Sequence, residues 1–209
     1  MSYDEQDAAR DEFYEQISRE LYPDHKQQAI EDFTAERLRS FYIKYPNVMR
    51  PAVEAIREAK TLLAASRYSP ALVFSASAFE LLLKATLLRP VVYGLVHHDA
   101  LAEIIVQRVV GRQTDIARYE GLLSQLFNSL ARIDLSAISR DGATKALMTE
   151  ARELQNLRDK ILHQGVHCSP PEAKRAFSVA VAIYEMIVVP MISALKLRIG
   201  EKGIIELTA

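Results

Sequence analysis

Apolar residues recur at intervals of three and four along almost the whole chain, and alternating polar–apolar runs are nearly absent. A 3.6-residue period gathers such residues on one face of a helix, so the pattern restricts the fold to the all-α class. Short connections between periodic segments predict an antiparallel helical bundle. With 209 residues there is enough chain for one sizeable core and an appendage.

Three regions follow. Residues 1–46 read as two charged amphipathic helices, about Asp4–Leu21 and Asp24–Tyr45, broken at Pro23. They form either an outer layer of the bundle or an arm that binds a partner. Residues 47–198 are the bundle, and 199–209 a tail with a short extended segment.

Within the bundle, Asn47 caps a helix of about Val48–Ser66 that carries Pro51 in its first turn. Ser69 caps the next, about Pro70–Leu88, which is apolar almost all round, belongs in the centre and is expected to end at Arg89-Pro90. Helices of about Asp99–Val110 and Asp115–Arg132 follow. Another runs from Asp141-Gly142 to His163 or Gln164, with Leu147, Ala151, Leu154, Leu157, Ile161 and Leu162 inward. Ser169-Pro170-Pro171-Glu172 is a capping-box start for a last helix reaching about Arg198, with a kink expected at Pro190.

The net charge of −1 excludes a globally basic nucleic-acid binder, yet leaves room for a local cationic face. Cys168 is the only cysteine, so an intrachain disulfide and a Cys-rich zinc site are both excluded. A cytoplasmic setting is the expectation. Ala71–Leu88 and Ser178–Leu195 approach membrane-helix hydrophobicity, but Glu80, Lys84, Glu185 and Pro190 interrupt them. They read as buried core helices, and no membrane is expected as a partner.

For chemistry, His97-His98-Asp99 point in different directions on any regular element, and His163, His167 and Cys168 have no second ligand cluster. No metal or other cofactor is expected. Gly-rich phosphate loops and nucleophile elbows are absent from the sequence. What remains is Arg158, Asp159 and His163 at a helix end stopped by Gly165. By themselves they also fit a solvated terminus, where the helix dipole favours basic side chains. Asn156, Asp159 and His163 share one face, whereas Arg158 lies about 140° from His163 around the axis. One straight helix cannot easily aim both at the same atom. Two copies meeting across a two-fold axis could supply two Arg and two His to one cleft.

The run Arg158-Asp159-Lys160-Ile161-Leu162-His163, with Gln164-Gly165 after it, resembles the Arg-polar-x-x-x-His signature of HEPN domains (higher eukaryotes and prokaryotes nucleotide-binding). The Ser169-Pro170-Pro171-Glu172-Ala173 helix start and the earlier apolar helix Ser75–Lys84, with its Glu80, are similar too. The likeness spans roughly Asn47–Arg198, and Asp159 stands where that family often has Asn or His. The resemblance implies a dimerising helical bundle that cuts RNA without a metal, as a toxin or defence effector with a cognate antitoxin protein. A ribose 2′-hydroxyl would attack the adjacent phosphate, leaving 2′,3′-cyclic phosphate and 5′-hydroxyl ends. His163 would move the proton and Arg158 grip phosphate oxygens, both as catalytic residues. Asp159 and Asn156 would orient His163. Glu80 either approaches the cleft or pairs with Lys84 at the surface. A non-catalytic module binding RNA, a nucleotide or a protein is the alternative.

Overall fold

The computed structural model describes residues 32–95 and 120–208, with single positions 16, 101 and 104. Apart from those single positions, the expected helices Asp4–Leu21 and Asp99–Val110 and the cluster His97-His98-Asp99 lie outside the described residues. Within them the regular structure is helical except for one two-stranded hairpin. We number the helices α1 (32–44), α2 (Arg50–Ala64), α3 (Tyr68–Leu81), α4 (Arg89–Leu95), α5 (Glu120–Ala131), α6 (Leu147–Gln164), α7 (Pro170–Ile183) and α8 (Val189–Ala194).

The largely apolar α3 is central and packs against α2, α6 and α7. Ala71, Ser75, Ala76 and Ala78 are buried on it, and these small side chains let neighbouring helices approach closely. Ser75 satisfies its buried hydroxyl by donating to the Ala71 carbonyl at 2.8 Å. Leu38, Phe41 and Tyr42 bring α1 into the same core. Tyr68–Tyr93 and Pro170–Ala194 are long and apolar enough to cross a bilayer, by length and composition alone. However, 67% and 50% of their most apolar windows are buried within the protein.

Pro90 does not end the helix it was expected to end. The chain continues from α3 through a π-helical segment, Leu82–Leu88, into α4. Proline offers no N–H to the carbonyl four residues back and crowds it, and a wider π turn accommodates that defect. For Pro90 that carbonyl belongs to Thr86, and it accepts the Tyr42 hydroxyl at 2.5 Å. Tyr42 is fully buried, and burial pushes its phenol above the ordinary range. A second π segment, Tyr184–Val188, precedes Pro190 in α8 and takes the place of a simple kink. The two π segments pack on each other.

Other boundaries also moved. Residues 46–49 form a turn, so α2 starts at Arg50, with its N-cap at Met49 instead of Asn47. Ser69 lies inside the first turn of α3, and its Oγ accepts the Cys168 N–H at 3.1 Å, tying that turn to the loop before α7. The start of α6 is Leu147, because Arg140 and the bends after it occupy the preceding residues. Leu162, expected inward, is 53% exposed. The last helix stops at Ala194, and Lys196 turns the chain at a φ of 56° into β1 (Leu197–Ile199). β1 pairs antiparallel with β2 (Ile205–Leu207) in the register Arg198↔Glu206. Ile205 N–H reaches the Pro46 carbonyl at 2.9 Å, which fastens this hairpin to the start of α2. Gly203 is required there: its φ is 78°, and a Cβ would come within 2.7 Å of Val53.

Candidate functional site

The last turn of α6 ends in a glycine stop, and the next helix starts a few residues later. Gly165 adopts φ 67° and ψ 21°, and its N–H bonds the Lys160 carbonyl, a left-handed stop that suits glycine. The capping box then starts α7: Ser169 N–H donates to Glu172 Oε2 at 2.7 Å, and Glu172 N–H to Ser169 Oγ at 3.5 Å. The Ser169 N–H, and then the Ser169 hydroxyl donating to the same oxygen at 2.7 Å, hold the Glu172 carboxyl below its usual range. Between them Cys168 is buried, and burial pushes its thiol up.

A second ionic cluster fixes the start of α6. Arg140 donates from Nε and Nη2 to the two oxygens of buried Glu150, at 2.7 and 2.9 Å. Arg175 on α7 lies 3.5 Å from Glu150 and donates to Glu153 at 2.6 Å, and Lys145 pairs with the other oxygen of Glu153. Loop, α6 and α7 are thereby joined by alternating charges. Nothing in the spacing of these residues announced the network.

On that support α6 presents two different sides. Arg158 faces α3: its Nη2 donates to Glu80 Oε2 at 2.8 Å and its Nη1 to Asp159 Oδ1 at 2.7 Å. Glu80 Oε1 accepts from Lys84 Nζ at 2.6 Å. Glu80 therefore makes the expected pair with Lys84, though not at the open surface, and also holds Arg158. Neither pair is a fully solvated one, since the side chains of Lys84, Glu80 and Arg158 are 11%, 21% and 21% exposed. Arg158 keeps N–H groups in reserve, because a guanidinium carries five and these bonds use one from each terminal nitrogen. Its Nε is buried and has no hydrogen-bond partner among the described residues.

His163 stands on the other side, exposed, as is Asn156, with Asp159 half exposed. Asp159 gives its carboxylate to Arg158, and among the described residues His163 has no hydrogen-bond partner. The structure thus brings Glu80, Lys84, Arg158 and Asp159 together, and leaves Asn156 and His163 apart on the solvent face. The helix period put Asp159 on the His163 face, where it was expected to orient the imidazole, but its carboxylate turns to Arg158 instead. Among the described residues no three His, Cys, Asp or Glu side chains gather as metal ligands.

No protein-family model, curated protein or solved structure matches the chain. The site is therefore read from its own groups. It contains a fixed guanidinium with spare donors, two carboxylates that fix it, a buried ammonium, and an exposed imidazole on the other side of the same helix. A guanidinium of this kind can hold a phosphate and an exposed imidazole can move a proton, but within one chain the two stand on different sides of α6.

Proposed function

We propose that the chain is a metal-independent endoribonuclease of the HEPN type, acting as a homodimer in which the ends of two α6 helices face one cleft. The observation that carries this reading is the division of labour on α6, with Arg158 fixed by Glu80 and His163 free at the solvent side. In the reaction the ribose 2′-oxygen forms a bond to phosphorus as the bond from phosphorus to the 5′-oxygen breaks. His163 accepts the 2′-hydroxyl proton, and the leaving 5′-oxygen gains one from the partner's imidazolium or from water. Arg158 balances the extra negative charge on the phosphoryl oxygens. Glu80 is a positioning residue that holds the guanidinium, and Asp159 shares that task. A toxin or defence role with an antitoxin partner belongs to the same proposal.

The second reading is a binding module without catalysis. It is favoured by one feature, the two carboxylates that already neutralise Arg158. Purified protein incubated with RNA in EDTA separates the two. Cyclic-phosphate ends are expected from the wild-type chain, with none from His163→Ala or Arg158→Lys. Cutting that persists in both variants overturns the proposal, and a mobility shift without new ends favours the module.

A further inference from the structure

A cavity of about 470 Å³ opens between α2, α7 with the π segment after it, and the turn that joins β1 to β2. No residue of α6 lines it. Val53 and Ile56 on α2, with Phe177 and Val181 on α7, form an apolar lining, and all four are half-buried. The turn is a built wall. Its Gly203 sits so close to Val53 that a Cβ has no room, and Gly200 N–H donates to the Ile204 carbonyl at 2.7 Å. Five charged side chains complete the lining, and they sort by element. α2 supplies cations alone, Arg57 and Lys60, three residues apart and so neighbours on one face. The π segment supplies one acid, Glu185, next to Tyr184. The turn adds one of each sign, Glu201 and Lys202. Elsewhere on the same elements charges find each other, as in Arg50–Glu54 and Arg198–Glu206. Among the described residues none of these five makes an ion pair. Burial, and then the charge of Glu185, push the Tyr184 phenol up, so its hydroxyl remains a donor.

We propose that this cavity binds a small zwitterion with an apolar side chain, the chemistry of a free amino acid or a dipeptide. Its carboxylate meets Arg57 and Lys60, its ammonium meets Glu185, and its side chain covers Val53, Ile56, Phe177 and Val181. The volume is that of a small-molecule pocket, in which an apolar wall supplies affinity and a few charged groups fix orientation. Other ligands fit the lining less well. A simple anion uses the cations but faces Glu185 and Glu201 as well, and a polyanion such as RNA meets the same two acids. A neutral apolar molecule leaves every charge in the wall unmatched. The inference stands apart from the nuclease reading, because the two sites share no residue.

Isothermal titration calorimetry of the full-length chain with L-leucine and with leucyl-leucine tests this, alongside denaturation midpoints at the same ligand concentrations. At least one of the two should bind and raise the midpoint, because a ligand held only by the folded chain stabilises it. Tighter binding of leucine assigns the site to a free amino acid, and tighter binding of leucyl-leucine to a dipeptide. N-acetylation or amidation of the compound that binds removes one of its charges and should weaken it about threefold or more. Glycine or diglycine, lacking the apolar side chain, should bind about tenfold more weakly. Glu185→Gln should weaken the zwitterion about threefold and leave the N-acetylated form unaffected, and Arg57→Gln should do the same for the zwitterion and the amide. Arg57 and Glu185 are both exposed, so midpoints without ligand should stay at the wild-type value. No binding of either compound up to about 10 mM, equal affinity for the N-acetylated form, equal affinity for glycine or diglycine, or indifference to both substitutions overturns the proposal.

Discussion

Glu80 and Arg158 stand 78 residues apart in sequence and meet through a 2.8 Å bond between Oε2 and Nη2. The same carboxylate holds Lys84 through its other oxygen. One acid on α3 thus neutralises two cations in a largely desolvated place, and it sets the direction of Arg158.

Glu80→Gln keeps the shape of the side chain and removes the charge both cations share. Lys84, 8% exposed, is then left without its counter-charge. The expected loss of stability is about 2 kcal/mol, less than for a fully buried pair because Arg158 and Glu80 retain some solvent. Urea denaturation measures it. A change below about 0.5 kcal/mol, the level of an ordinary surface substitution, would show that water already supports both cations.

If Arg158 of one protomer works with His163 of the other, two inactive variants should rescue each other. Refolding Arg158→Ala together with His163→Ala gives mixed dimers in which one of the two Arg158–His163 pairs that span the shared cleft is intact. About a quarter of wild-type cleavage should return on statistical grounds. Each variant alone should stay inactive. No rescue, in a mixture shown to exchange subunits, would place the working pair within one chain.

Tyr42→Phe deletes the donor to the Thr86 carbonyl and should cost about 1–2 kcal/mol. The missing N–H of Pro90 leaves that carbonyl open, so the two residues should be coupled. In a Pro90→Ala background, where an amide can serve that carbonyl, the same Tyr42→Phe change should cost measurably less. Equal costs in both backgrounds, read by chemical denaturation, would detach Tyr42 from the proline.

Glu153 is held below the usual carboxylate range, first by its bond to Lys145 and then by that to Arg175. A carboxyl whose folded pKa lies below its unfolded one stabilises the fold above the unfolded value, roughly pH 4.3, and stops doing so as pH falls through the folded value. Stability should therefore decline on acidification below that point, and Glu153→Gln should flatten the decline. Denaturation midpoints collected between neutrality and strong acid test this, and identical profiles for both proteins would refute it.

Much of the helical content was legible because period and caps are local signals. The stop at Gly165 and the capping box at Ser169 need only a few neighbouring residues, and both appear where the sequence placed them. The prolines show the limit of that reasoning. Pro90 has the local character of a helix terminator, but the packed π segment and the Tyr42 hydroxyl, which reaches the Thr86 carbonyl from 44 residues away, carry the helix past it. Ser69 likewise looks like a cap, and its hydroxyl instead serves a backbone amide 99 residues on.

The sequence by itself determined the helical class, the central place of the α3 segment and the opposed azimuths of Arg158 and His163, because each follows from a 3.6-residue repeat. Only the tertiary structure decided which way the charges point. Glu80 could have remained a surface partner of Lys84, since a spacing of four residues permits that in any helix. It became the residue that fixes Arg158 because α3 and α6 pack side by side, bringing two cations and one carboxylate into a space too dry to leave either cation unpaired.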